Sequence, residues 1–329
     1  MIQKKTHRLG NQQGKEFIVK KPIVADLVLL IIAFIWGATF LVVQNAIATL
    51  PPNTFNAVRF SIASLFLAAI MLLFVRRDLG KFTPSLLKAG LTIGGWLFAG
   101  YALQTMGLVY TTPSKAGFIT GLSVVLVPLF SFLLLRERIK WPAVAGALVA
   151  VAGLYLLTLG ESLQLNLGDI LVFGCAISFA LQIVYTGKFA PKHAPLPLAI
   201  VQLTTVALAS WLYALLFEDW QLAFDAEAML SPEVAWGLFI TAIPATALAF
   251  LAQTAFQQQT SSTRVALIFA MEPVFAALTS YVWIHEILTV KQIMGCSFIF
   301  AGMILAELPI AAWIKSWTAA KTNSSEPNP

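Results

Sequence analysis

The sequence predicts an all-α polytopic membrane protein, with ten transmembrane helices arranged as two inverted five-helix repeats. Three observations carry this. Of 329 residues, 59% are hydrophobic and only 11% charged, where a soluble domain has about 25% charged. Apolar runs recur along the whole chain, most of them near the ~20 residues that cross a hydrocarbon core as helix. One stretch is also repeated 149 residues later without a gap: Gln104 falls on Gln253, Thr105 on Thr254, Lys115 on Arg264, Glu137 on Glu286, Gly146 on Gly295 and Gly153 on Gly302. A second anchor, Asp26 against Asp169 at an offset of 143, opens each half just before an apolar run.

These repeats divide the chain into a flexible, basic N-terminal tail (1–21), a first half (22–160), a second half (161–308) and a C-terminal tail (309–329). The formal net charge is +6, but the basic residues are dispersed among short loops, so no nucleic-acid partner is indicated. Cys175 and Cys296 lie inside apolar runs without ligand or redox spacing, and His7, His193 and His285 are far apart in a tail or loops. No metal and no other cofactor is indicated.

In order, the spans are read as 27–48, 54–75, 86–106, 114–135, 142–159, 170–189, 198–217, 234–255, 263–283 and 290–307. The first is too long for the core of a signal peptide and is kept as a spanning helix. Thr112-Pro113 and Ser231-Pro232-Glu233 each offer a hydroxyl at an N-cap followed by proline at the first helical position, where its missing N–H is harmless. Asn53-Thr54 does similar work after Pro51-Pro52. With the N-terminus inside, eighteen of the twenty-one Lys and Arg fall on the cytoplasmic side, leaving Lys115 and Lys291 outside and Arg59 within a span. Both termini are then cytoplasmic, and the second half enters from the opposite face. The repeat shows the consequence: Arg136, Arg138 and Lys140 inside become His285, Ile287 and Thr289 outside, while Glu137 and Glu286 stay.

Two similar halves packed in opposite senses can exchange inward-open and outward-open shapes about a central site, and Gly or Pro interruptions at corresponding places point to it. Gly94-Gly95 in span three matches Ile243-Pro244 in span eight, and Pro128 in span four lies about one turn from the match of Pro273 in span nine. Kinks are expected at Pro244 and Pro273, where a carbonyl loses its usual partner. Glu272 lies about ten residues into span nine, roughly 15 Å deep in a core about 30 Å thick. A carboxylate there is costly unless protonated, paired or open to a water-filled cavity. It is read either as cavity-lining, with a part in recognition or proton coupling, or as a hydrogen-bonded structural acid beside Pro273.

Arg59 in span two either snorkels to headgroups or Asn53, or guards the outer entrance and meets an anionic part of a solute. Trp36-Gly37, mid-span, reads as tight helix packing or a cavity wall, with Asn45 toward the outer end. Tyr101, Gln104, Gln182, Tyr185 and Gln253 add hydrogen-bonding groups, although polar contacts between helices account for them equally. Spans five and ten carry Gly146 with Gly153 and Gly295 with Gly302 on one face, for helix packing or a homodimer contact; a monomer is equally open.

These residues meet a known pattern. Trp36-Gly37, the run from Phe55 to Arg59, Glu272-Pro273-Val274-Phe275-Ala276-Ala277-Leu278, and a Glu with a Gly-bearing helix closing each half resemble the drug/metabolite transporter superfamily in its ten-helix EamA type. The likeness covers nearly all of residues 26–308. It implies a secondary carrier in the prokaryotic inner (cytoplasmic) membrane, in contact with lipids and exporting amino acids or related small metabolites. It further implies a central cavity lined mainly by the first four helices of each half, with the fifth peripheral. This chain departs from a symmetric pattern, since the register puts Ser123 and Val124 at the places of Glu272 and Pro273. A proton pathway through Glu272 is therefore asymmetric. A channel or a solute sensor is the alternative. A membrane enzyme would need a nucleophile–base set or a metal cluster, and a pump a phosphate-cradling loop; the sequence shows neither.

Overall fold

The computed structural model describes residues 13–137, 140–157, 166–283 and 289–307. Among them are eight helices long and apolar enough to cross a membrane and two shorter apolar ones. The first half runs α1 (Gln13–Ala46), α2 (Pro52–Phe74), α3 (Pro84–Gly107), α4a (Pro113–Gly121), α4b (Ser123–Leu135) and α5 (Trp141–Leu157). The second runs α6 (Leu167–Phe189), α7 (Pro195–Phe217), α8a (Pro232–Ala242), a π-helical segment (Ile243–Leu248), α8b (Ala249–Phe256), α9a (Ser262–Phe269), α9b (Glu272–Trp283) and α10 (Val290–Glu307). The chain is thus an all-helical, multi-pass membrane protein of two five-helix repeats.

Helix α1 starts at Gln13, inside the stretch read as a flexible tail. Apolar character marks where lipid begins, whereas Gln, Lys and Glu continue a helix readily outside it. Residues 1–12, the turn around Glu286 and the tail 309–329 lie outside the described residues.

Leu65, Leu73, Phe74, Leu133 and Leu212 point outward. Lipid tails are as apolar as leucine, so helices meet instead through small residues and polar contacts. A Cβ on Gly302 would stand 2.5 Å from the Gly146 carbonyl oxygen, and one on Gly153 2.6 Å from that of Gly295. The glycine faces of α5 and α10 are therefore taken up by each other within the chain. Thr105 and Thr254, matched by the repeat, each accept from an amide on the second helix of their own half: Asn56 Nδ2 at 2.8 Å and Gln202 Nε2 at 3.0 Å.

Two ion pairs show the inversion directly. At the start of α4a, Lys115 Nζ lies 2.7 Å from Asp169 Oδ2 at the start of α6. At the start of α9a, Arg264 Nη2 binds Asp26 near the lipid-entry end of α1. Since α1 and α4a begin at opposite ends of the bundle, the pairs do too. Residues matched between the halves thus join crosswise, each half supplying the acid for the other's base.

The caps are mixed. Thr112 accepts from the Lys115 N–H at 3.2 Å. Ser231 occupies the N-cap position of α8a, but its hydroxyl donates to the Ala228 carbonyl at 2.8 Å rather than capping. Helix α9a is capped by Ser261, whose Oγ accepts from the Arg264 N–H at 3.3 Å. At α2 the acceptor comes from the far half: the Glu218 carboxylate takes the backbone N–H groups of Asn53 (3.0 Å) and Thr54 (2.7 Å) and both their side chains.

Candidate functional site: a cavity between the halves

Spans four and nine are each interrupted near mid-length. Helix α4a stops at Gly121 and α4b begins at Ser123, while α9a stops at Phe269 and α9b begins at Glu272. Ser123 and Glu272 are the same position in the 149-residue register. The turn is the same as well: the Leu122 N–H donates to Ile119 O and the Met271 N–H to Ile268 O, both at 3.1 Å, a three-residue bond in place of the α-helical four. Pro273 follows one break, but Val124 holds its place in the other, and Pro128 lies inside α4b without ending it. The interruption expected at Gly94-Gly95 is not found. Helix α3 is continuous there, and Gly94 serves approach to α7, since a Cβ on it would stand 2.6 Å from Gln202 O. Pro244 does interrupt its span, as the π-helical segment.

Both breaks face one cavity of about 80 Å³. At roughly 10–15 Å³ per water, it has room for several waters. Its wall comes from α1, α2, α3 and α4 of the first half and α6, α8b and α9 of the second; among the described residues, α5, α7 and α10 contribute none to the lining.

Trp36 and Gly37 divide the two roles open to them. The Trp36 indole N–H donates to the Ala245 carbonyl in the π segment at 2.7 Å, and its ring packs against Phe269 (4.9 Å between centroids) and Phe250 (5.3 Å) as cavity wall. A Cβ on Gly37 would collide with the carbonyl oxygen of Glu272, so this glycine seats α1 on α9b.

Arg59 is 3% exposed and lines the cavity. Its Nε donates to Thr246 Oγ1 at 2.7 Å and its Nη2 to the Tyr101 hydroxyl at 3.5 Å. The guanidinium carbon sits 4.8 Å from the Tyr101 ring centroid and 5.4 Å from that of Phe60. Arg59 therefore does not reach Asn53, and among the described residues it has no carboxylate at ion-pair distance. Glu272 also lines the cavity, and among the described residues its carboxyl group has neither a hydrogen bond nor an ion pair. One chamber thus contains a cation and a carboxyl group that do not neutralise each other.

Tyr101, Gln104 and Gln182 join them on the wall. Gln104 donates to Thr120 Oγ1 at 3.4 Å and Gln182 to Thr186 Oγ1 at 3.1 Å. Gln253 stands behind, donating to Gln182 Oε1 at 3.4 Å and Gln257 Oε1 at 3.2 Å. The repeat-matched glutamines are thus not equivalent, one facing the cavity and the other supporting its wall. Asn45 is exposed, and Tyr185 stacks on Phe189 beneath Lys188; neither lines the cavity. Sequence reasoning did not single out Thr246 or Phe250 as site residues, nor Ser123 as a wall residue. Their signals were proximity to Pro244 and the register position shared with Glu272.

The EamA-like transporter family profile matches residues 23–159 and again 166–308. An "Uncharacterized transporter" of Archaeoglobus fulgidus is 36% identical over 303 residues, covering 91% of this chain and 90% of the relative. The "Uncharacterized transporter YvbV" of Bacillus subtilis is 26% identical, covering 85% and 90%. A solved structure titled "Crystal structure of protein" superposes with a TM-score of 0.70 at 22% identity, over 86% of this chain and 97% of that one, a likeness of fold.

Proposed function

This chain belongs to the EamA-like transporter family, and from that premise we propose that it is a secondary transporter of the inner (cytoplasmic) membrane, both termini cytoplasmic, exporting amino acids or related small metabolites by alternating access. The observation that carries this reading is the single cavity reached by equivalent helix breaks of two inverted halves. Such breaks turn backbone polar groups toward a site that both halves share, so that rocking one half against the other exposes it to alternate faces.

The wall chemistry supports the solute class. Arg59 offers a planar fork of donors suited to a carboxylate, Glu272 a carboxyl group suited to an ammonium or a proton, and Trp36, Phe179 and Phe250 apolar faces for the remainder. Glu272 is the group through which proton coupling would run.

Proteoliposomes loaded with pooled amino acids and related metabolites test this, with and without a pH gradient. Efflux that saturates and depends on the protein is expected. Glu272→Gln should change its response to the gradient while leaving folded yield intact, and Arg59→Lys and Arg59→Gln should slow acid-bearing solutes more than neutral ones. Flux linear in concentration to the highest level tested, or no solute moved at all, would refute the carrier.

A further inference from the structure

We propose that the two crosswise ion pairs are the gates of the transport route: Lys115–Asp169 closes its outer end and Asp26–Arg264 its inner end, and they open one at a time. This rests on the alternating-access reading and on the orientation drawn from the Lys and Arg bias.

Among the described residues, these are the ion pairs that join one half to the other; the third, Lys81–Asp78, is local to one connection. They occupy positions that the repeat relates, at opposite ends of the bundle, with the cavity between them. Each base stands on a short helix that ends at a cavity break. Helix α4a has nine residues and α9a eight, rods of about 12–14 Å at ~1.5 Å per residue. Each rod is fastened at its outer tip to the opposite half and jointed at its inner tip beside Ser123 or Glu272. A swing about that joint breaks the ion pair and moves cavity wall in the same stroke. Pseudo-symmetry makes the same stroke at the other end its converse.

The two latches differ in strength. Lys115 and Asp169 side chains are 15% and 1% exposed, and the Asp169 carboxylate also accepts from Thr111 Oγ1 (2.6 Å) and the Asn166 N–H (3.1 Å). Arg264 and Asp26 are 33% and 23% exposed, and among the described residues Asp26 Oδ1 has no hydrogen-bond partner. Breaking a buried, fully hydrogen-bonded pair costs more than breaking an exposed one. The outer latch is therefore the harder to release, and the inner end opens more readily.

A single cysteine on the cavity wall reads this out. In a Cys175→Ser, Cys296→Ser, Ser123→Cys background, a membrane-impermeant maleimide is applied to right-side-out and to inside-out vesicles. Asp169→Asn should raise labelling from outside by about fivefold or more, and Asp26→Asn labelling from inside by about twofold, because a buried pair holds its end shut more strongly than an exposed one. Each variant should protect the opposite side. The reversals Lys115→Asp with Asp169→Lys, and Arg264→Asp with Asp26→Arg, should return labelling toward the parent and control for misfolding. Labelling that both neutralisations leave unchanged, or shift to the same side, overturns the proposal. Sided labelling without solute flux would keep the gates and sink the carrier, whereas flux without sided labelling would do the reverse.

Discussion

Glu218 is the residue whose importance is hardest to see in the chain and plainest in the fold. Its carboxylate closes the N-terminus of α2 by taking two backbone N–H groups and two side chains from 164 and 165 residues away. An acceptor aligned with the helix dipole, on donors that otherwise have no partner, contributes about 1–2 kcal/mol. Glu218→Ala should lower the thermal midpoint of the purified protein accordingly, with Glu218→Gln intermediate. Read as sequence, Glu218 belongs to an acidic loop that carries little topological information; only the folded bundle brings it beside Asn53 and Thr54. Arg59 and Glu272 were legible because charge deep in an apolar run is conspicuous by its cost. Which way Arg59 turned was not legible, because Thr246 and Tyr101, its partners, lie on other spans. Trp36→Phe leaves the Ala245 carbonyl without its indole donor. Interhelical hydrogen bonds in membranes average about 0.6 kcal/mol, so a small loss of midpoint is expected, measured by the same melt.

At the level of helices, hydropathy found ten spans and their order, since lipid exposure is what it measures. It was blind to backbone continuity. Residues 114–135 read as a single rod and 263–283 as one kinked at Pro273, and both are jointed, at Leu122 and at Ala270–Met271. Proline marks only the second joint, and in the first Gly121 is the lone irregular residue. Conversely, Gly94-Gly95 looks like an interruption, but α3 runs through it and Gly94 is a packing contact. The glycines of α5 and α10 were legible as small-residue faces, though their partner was not. Gly302→Val places a branched side chain where the Gly146 carbonyl already stands. Overpacking of this kind costs about 1–3 kcal/mol. The expected result is a lower melting midpoint with transport per folded molecule unchanged, because neither helix lines the cavity.

For the whole molecule, inversion was the most legible property of all, because loop charge and the repeat register are read independently and agree. The crosswise pairing was not, although Lys115 was matched to Arg264 in the register and Asp26 to Asp169 as the second anchor. A repeat says which residues are equivalent, and the fold alone says that equivalents serve opposite halves. Because the ion pairs and the α5–α10 crossing run between halves, residues 1–160 and 161–329 made as separate chains should be recovered together. A tag on one half should retain the other through detergent purification, and recovery of the tagged half alone would contradict this.

The break positions also have a kinetic meaning. Ser123 fills in the first half the place that Glu272 takes in the second, so turning the molecule over about its internal two-fold does not regenerate the same chamber. A solute arriving from one face meets the carboxyl group in a different order from one arriving from the other. Half-saturating concentrations measured from the two faces should then be unequal, even though with no gradient the two kcat/KM values must balance. Such facedness requires no energy source and belongs to the lone acid.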